Sequence, residues 1–410
     1  MFFRVAVHWL TSLQSYSSHS QSTYTPLCLT RLSTFDNTEI RKPQGEYGWQ
    51  AAFQLPVHRS LCQALPSPWQ CETDPVTTVA LFGEILLRLS PPGNELPFQS
   101  PSFRTYVGGA EANVGTQLGC LGHSARMLSA VPDNTFGHGV CSKLREHGVD
   151  TSHVLKRDGR LGLYLVTVGA GQRSTHVVYD RDATSFQRTH ADEWNWSAML
   201  AGVSWLHVSG INAALGEQTE KSLSACIDAA RERDITVSFD CNYRSTLWEA
   251  RGCDPVPILK GLIGKAQFLF ANHRDVSLLS GKDFNGEGTD RRRAAAEEAF
   301  AMFPGLTGIA STARHSVSAD HHRLSARIDR PNNAVQADEV DITRIEDRIG
   351  SGDGFCAGVL DALLRGESDE VAAQTGLAVA VLKHSLPGDA ALFGREDIAA
   401  FMAGQHDVRR

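Results

Sequence analysis

The sequence predicts an α/β protein with a mainly parallel central sheet covered by helices on both faces. Three observations predict it. From Thr77 onward, short apolar runs of strand length alternate with longer helical stretches. Several of those runs end directly in a polar residue, as at Asp240, Asn272 and Ser311, and sheets of this kind bind ligands beyond the carboxyl ends of their strands. Composition is that of an ordinary globular chain, with 42% hydrophobic residues over 410 positions.

Taken in order, Thr77–Phe82 reads as a strand ending at Gly83. Gly109–Leu121 reads as a helix, Ala125–Ala130 as a strand and Thr135–His147 as a helix. Val203–Val208 and Ile235–Phe239 read as buried strands on either side of a Glu217–Arg233 helix. Phe268–Phe270 and Gly308–Ala310 continue the sheet, and Phe355–Leu364 is an apolar helical run. Two pieces break the alternation, Glu84–Tyr106 and Gly162–Asp180. In the second, Tyr164–Val168 and His176–Tyr179 read as paired strands. His321 and His322 are expected in a solvated hairpin turn, Arg291–Arg293 at an exposed helix start, and Trp194 and Trp196 packed beside a loop.

Formal net charge is −7, which argues against nucleic acid as the main partner. Nine cysteines are scattered with no C-x-x-C pair, so neither a disulfide framework nor a zinc site is expected, and a reducing, cytoplasmic setting is the simplest. No run of 18 apolar residues suggests a membrane span. The chain divides near residue 76. Residues 1–76 carry five basic and five acidic side chains, and the first 35 contain 12 Ser or Thr and no acid. Pro26, Pro43, Pro56, Pro66 and Pro68 interrupt any periodic pattern. This stretch is expected to be a poorly ordered leader, loosely like a transit peptide. Because Met127 is the first methionine after Met1, a gene-model extension ahead of a domain spanning 77–410 is the other expectation.

The stretch from Asp347 to Phe355, with Gly350, Ser351, Gly352 and Asp353 at its centre, carries the most chemistry. Glycines let the backbone turn tightly and approach a ligand. A helix beginning there adds unpaired N–H groups and partial positive charge, which together make an anion site. Asp353 at its mouth suits a base beside a phosphate; the plain alternative is an N-capping Asp. Upstream, Gly108 and Gly109 permit close backbone approach, and Asn113 falls one helical turn later, where an amide can bond sugar hydroxyls. Neither the G-x-G-x-x-G nor the G-x-x-x-x-G-K-[ST] spacing is present.

These two motifs, in this order, resemble the two signatures of the ribokinase-like (PfkB) carbohydrate kinases, over roughly Thr77 to Met402. The segments Gly83–Gly93, Leu161–Tyr164, Val178–Arg181 and Phe239–Trp248 resemble the 2-keto-3-deoxygluconate kinase branch. The resemblance implies a three-layer αβα ribokinase-like fold, with a small β-sheet lid built from about 84–106 and 162–180. It implies ATP and Mg²⁺ as cofactors, a small-molecule sugar acid as partner, no membrane partner and a homo-oligomer. It also implies roles. Asp353 would be the base, with Gly350, Ser351 and Gly352 as the anion loop. Gly108, Gly109, Asn113, Tyr164 and Arg244 would bind the substrate, with Arg244 on its carboxylate. Asn272, Ser311, Thr312 and Gly352 would border the nucleotide, and Asp275 would act indirectly on the metal. Leu382–Asp389 would lie near the adenine.

Some positions depart from that pattern. Asp275 stands where Glu is usual, so Asn272 and Asp275 read equally well as a plain helix start. Val166 replaces an Arg found in some relatives, and Gly354 replaces Ala. The implied reaction is ATP-dependent phosphorylation of 2-keto-3-deoxygluconate at its C6 hydroxyl. The 2-keto-3-deoxygalactonate epimer, a neutral sugar or nucleoside as acceptor, or a non-catalytic sugar-acid-binding relative are the alternatives. Arg244 weighs against a neutral acceptor, and the intact Gly350–Asp353 run against loss of catalysis.

Overall fold

A computed structural model describes residues 77–285, 288–405 and 407. The leader expected over 1–76 lies outside the described residues.

The chain begins its core with β1 (Thr78–Phe82), whose four last residues are all buried. Val79 and Leu81 enter one apolar cluster, and Ala80 and Phe82 enter the other. Alternation along a strand sends neighbours to opposite faces, so an unbroken apolar run means both faces are covered. The small sheet follows at once, with β2 (Leu86–Ser90) and β3 (Arg104–Gly108). Next come β4 (Ser124–Pro132), β5 (Val149–Asp150) and β6 (Val154–Arg157). The small sheet is completed by β7 (Gly162–Thr167) and β8 (His176–Asp180). The large sheet then adds β9 (Val203–Ser209), β10 (Thr236–Asp240), β11 (Phe268–Phe270), β12 (Gly308–Ser316), β13 (His321–Asp329) and β14 (Ala334–Thr343).

The ten-stranded sheet runs β14-β13-β12-β11-β10-β9-β1-β4-β5, with β6 also paired to β4. Pairings from β11–β12 through to β4–β5 are parallel. The chain leaves β1 toward β4 on one side, then returns to place β9 on the other. The strand order therefore reverses at β1, and such a reversal opens a crevice beyond the strand ends. Gly83 and Glu84 after β1, Ser209 ending β9 and Asp240 ending β10 all stand at that crevice. No described helix is long and apolar enough to cross a membrane.

The small sheet, in the order β3-β2-β7-β8, has β2 and β7 parallel and the outer pairs antiparallel. Every second residue of β2 and β7 is buried, the pattern of a sheet with one covered face. Buried Glu84 anchors it, accepting bonds from Arg181 just after β8 and from Thr184.

Three local expectations are corrected. The strand expected over Gly308–Ala310 extends to Ser316, because its polar second half pairs antiparallel with β13. His321 and His322 therefore open β13 instead of sitting in the turn, which falls at 317–320; His322 is buried, edge-on to His384 at 6.0 Å. Arg291–Arg293 lie within the Gly288–Met302 helix and are not a free exposed start. Arg292 is buried and donates to Gln336 Oε1 of β14 at 2.8 Å, while Arg293 pairs with Asp329 of β13 at 3.3 Å. A hairpin folding back over this helix is a long-range event that local charge could not report. Trp194 and Trp196 pack as expected, stacked at 5.5 Å with Phe82 edge-on to both. The six cysteines among the described residues are free.

Candidate active site

The crevice is a cavity of about 720 Å³. One wall is the start of the Ser351–Leu364 helix. Gly350 is its N-cap, with φ 80, a left-handed backbone that a side chain resists. A Cβ there would also collide with the main chain of Asp389. No side chain caps this helix; Ser351 N–H donates to the Arg348 carbonyl at 3.3 Å, and the N–H groups of Gly352 and Asp353 remain for a ligand. Asp353 is three residues inside, in the first turn, and so is not the N-cap.

Asp353 Oδ2 accepts a bond from Asn113 Nδ2 at 2.6 Å, joining motifs 240 residues apart. Asn113 lies in the first turn of the Ala110–Cys120 helix, its N–H bonded to Gly109 O at 2.8 Å. Gly109 has φ 125, and its α-carbon packs against the Glu84 carbonyl, which leaves no room for a side chain. Asn113 Oδ1 is buried without a partner, a free acceptor beside the carboxylate.

Four acids surround this point, Glu111 buried and Asp353, Asp240 and Asp275 half-buried. Burial raises the Asp353 carboxyl to about 6, against the Asn113 bond and the Arg244 charge. Asp240 is pushed to about 8 by burial and then by Asp353 and Asp275, with Arg244 opposing. Burial raises Asp275 to about 6. Glu111 rises to about 7 by burial, although Ser209 and Asn212 donate to it at 2.7 and 2.8 Å. The carboxyls thus sit near neutrality, the range in which a side chain can take or hold a proton.

Arg244 lines the same cavity, is exposed and caps the Ser245–Arg251 helix. The chain reaches it through Asn242, at φ 39, whose N–H and side-chain amide donate to Asp240 at 3.0 and 3.2 Å. Asn272 is a helix N-cap: its Oδ1 accepts from Arg274 N–H, and Asp275 Oδ2 accepts from Asn272 N–H, both at 2.8 Å. The pair closes a capping box, and both residues also line the cavity. Ser311 and Thr312, on β12, line it too, as do Gly350, Ser351 and Gly352.

Other expected positions are placed differently. Gly108 does not line the cavity; a Cβ on it would run into the Tyr164 hydroxyl and the Asp389 carboxylate. Tyr164 lines the cavity with its ring, but its hydroxyl donates to Asp389. The Leu382–Asp389 segment contributes no cavity-lining residue. It is held behind the wall instead, where Arg88 bonds Asp347 at 2.6 Å and Asp389 at 2.8 Å, and Lys383 Nζ donates to the backbone oxygens of Asp347 and Leu386. Sequence reasoning missed this network, as it missed Glu111, Arg314 and Arg348 as site residues, and it placed Asp240 at the ligand-bearing strand ends without giving it a role. Glu111 and Asp240 stood inside quoted motifs. Arg88 had no signal, because a charged residue at an inward strand position looks like a surface residue until its acids are known.

Comparison with known proteins is consistent with this geometry. Residues 76–392 match the family model described as pfkB family carbohydrate kinase. A 2-dehydro-3-deoxygalactonokinase of Haloferax volcanii is 30% identical over 323 residues, 79% of this chain and 96% of the relative. A 2-dehydro-3-deoxygluconokinase of Bacillus subtilis is 27% identical over 312 residues, 75% and 90% of the two chains. The crystal structure of a 2-dehydro-3-deoxygluconokinase from Thermotoga maritima superposes with a TM-score of 0.76 at 32% identity, covering 80% of this chain and all of that one. With motif pair, two-sheet fold and switch-point cavity together, the chain belongs to the pfkB family of carbohydrate kinases.

Proposed function

We propose that the protein transfers the γ-phosphoryl group of ATP to the C6 hydroxyl of 2-keto-3-deoxygluconate, giving 2-keto-3-deoxy-6-phosphogluconate and ADP. The observation that carries the reading is that Asp353 and Arg244 face one cavity, with Arg244 acting electrostatically on the Asp353 carboxyl. A base beside an anion loop then lies within reach of a guanidinium fitted to a planar carboxylate. The names of the Haloferax, Bacillus and Thermotoga relatives support a sugar acid.

Asp353 takes the proton of the C6 hydroxyl as the oxygen bonds to the γ-phosphorus and the bond to the bridging oxygen of ADP breaks. Asn113 holds Asp353 and offers its free Oδ1 to a sugar hydroxyl. The N–H groups following Gly350 stabilise charge on the transferring phosphoryl. The small sheet, through Leu86, Tyr164, Val177 and Tyr179, covers the cavity and would exclude water, favouring transfer over hydrolysis.

Magnesium fits the donor set. Asp275 lines the cavity with only its Oδ2 engaged in the capping box, and Mg²⁺ commonly takes its other oxygens from phosphates and water. Asp275 would hold it through water, and the ion would neutralise phosphate charge.

The galactonate epimer is a second acceptor to weigh, since one relative carries that name. The test is ATP consumption over both sugar acids, fructose and ribose, with wild type and Arg244→Ala. Loss of a charge-assisted pair costs about 1.5–3 kcal/mol, so KM for the sugar acid should rise roughly 10- to 150-fold while KM for ATP moves little. If wild type prefers a neutral sugar, or the variant handles the sugar acid as wild type does, carboxylate recognition is wrong.

A further inference from the structure

Five arginines besides Arg181 line the cavity: Arg244, Arg274, Arg291, Arg314 and Arg348. Arg181 is tied to Glu84. Among the described residues, none of the other five side chains forms an ion pair with, or donates a hydrogen bond to, a carboxylate, and Arg291 Nε is buried with no partner. Elsewhere the molecule pairs its arginines freely, as with Arg88, Arg251, Arg330 and Arg365. Arg244 acts on Asp240, Asp275 and Asp353 across the cavity, and Arg274 acts on Asp275, but the charges acting on Arg314 are all arginines.

Their placement is specific. Arg314 lies on β12 two residues past Thr312, hence on the same strand face. Arg348 lies two residues before Gly350, in the segment that leads into the anion loop. Arg274 is the second residue of the His273–Ser280 helix, which begins just beyond β11. Three separate elements thus bring guanidinium groups to the cavity beside the uncapped helix start. Burial lowers the Arg314 pKa, and so do Arg348, Arg274 and Arg244 in turn, which places these four within electrostatic reach of each other. Arg244 differs from Arg314 in that it also acts on Asp353, Asp240 and Asp275.

One carboxylate engages one guanidinium fork; a chain of phosphates engages several at once. A single sugar-acid carboxylate accounts for Arg244 and leaves Arg314 and Arg348 without an ion-pair partner. We infer that Arg274, Arg314 and Arg348 form a receptor for the phosphate chain of the nucleotide, distinct from Arg244 on the sugar side. The inference rests on the kinase reading above and adds the residues that hold the second substrate. It also explains why Arg314 and Arg348 persist without an ion-pair partner among the described residues: the ligand supplies one.

The test uses inorganic tripolyphosphate, without sugar or metal, titrated calorimetrically into the full chain as wild type, Arg314→Gln, Arg348→Gln and the double variant. Losing one charge-assisted contact should weaken binding roughly tenfold and both roughly 100-fold. KM for ATP should rise with it, and KM for the sugar acid should stay within about threefold. Because neither side chain has a partner in the protein, the ligand-free melting temperature should hold or rise in the variants, while the increase caused by tripolyphosphate should shrink. Arg314→Lys and Arg348→Lys keep charge without the fork and should fall between. Tripolyphosphate binding by the double variant within threefold of wild type would overturn the receptor, as would a rise confined to the sugar-acid KM. If either Gln variant unfolds, these residues are structural and the inference is equally overturned. Wild type that binds tripolyphosphate through these arginines yet phosphorylates no sugar would instead overturn the proposed reaction and leave the receptor standing.

Discussion

Replacing Asp353 by Asn separates what this carboxylate does from what it costs the fold. Burial lifts its pKa from 3.8 to about 6, and the Asn113 bond and the Arg244 charge recover only part of the penalty. A folded pKa above the unfolded value means that the fold favours the protonated acid. The penalty is absent below about pH 4, grows between about 4 and 6, and is fully present above that. A difference of this size corresponds to about 3 kcal/mol at pH 7. Asn is neutral and of the same shape, and its side-chain oxygen can still accept from Asn113 Nδ2. The variant should therefore be more stable than wild type at pH 7.5, by up to about 3 kcal/mol, and nearly equal to it near pH 4. Asp240, raised partly by the Asp353 charge, should ionise more readily in the variant. Activity should move the other way. Without a base, kcat should fall by at least ~10², and the rise of wild-type kcat/KM as pH passes through about 6 should disappear. Denaturant titrations at the two pH values and steady-state kinetics from pH 5 to 8 measure all of this. A variant keeping more than about a tenth of wild-type kcat would remove Asp353 as base. A variant less stable than wild type at pH 7.5 would refute the burial argument.

Arg244→Lys should recover only part of the KM lost in Arg244→Ala, because a point charge lacks the two-pronged geometry; full recovery would show that charge alone matters. Tyr164→Phe removes the hydroxyl that serves buried Asp389 and should lower stability by about 1–3 kcal/mol, with sugar-acid KM nearly unchanged. A large KM rise at unchanged stability would instead assign that hydroxyl to the substrate. Deleting residues 1–76, which precede nearly all of the family match, should leave kcat and melting temperature close to those of the full chain; an insoluble product would contradict this.

Much was legible without coordinates. Short apolar runs placed β1, β9, β10 and β11 to within a residue or two, because a strand buried on both faces leaves a continuous apolar signature. The motif around Gly350 announced its helix start, since a left-handed residue ahead of a helix leaves few choices besides glycine. Gly109 and Asn113 were legible for a similar reason: backbone packing excludes a side chain at one, and the first helical turn aims the other.

What tertiary structure alone decided is how distant charges meet. That Asn113 bonds Asp353, that Tyr164 serves Asp389 while Gly108 makes room for both, and that Arg88 bridges Asp347 and Asp389 are contacts across hundreds of residues. Local sequence carries residue type and periodicity, but no register between remote elements. The same holds for the polar half of β12, which is strand only because β13 pairs with it. It holds also for the unpaired arginines: each looks like a surface residue in the sequence. Only the convergence of β12, the Arg348 segment and the His273–Ser280 helix brings them to one cavity.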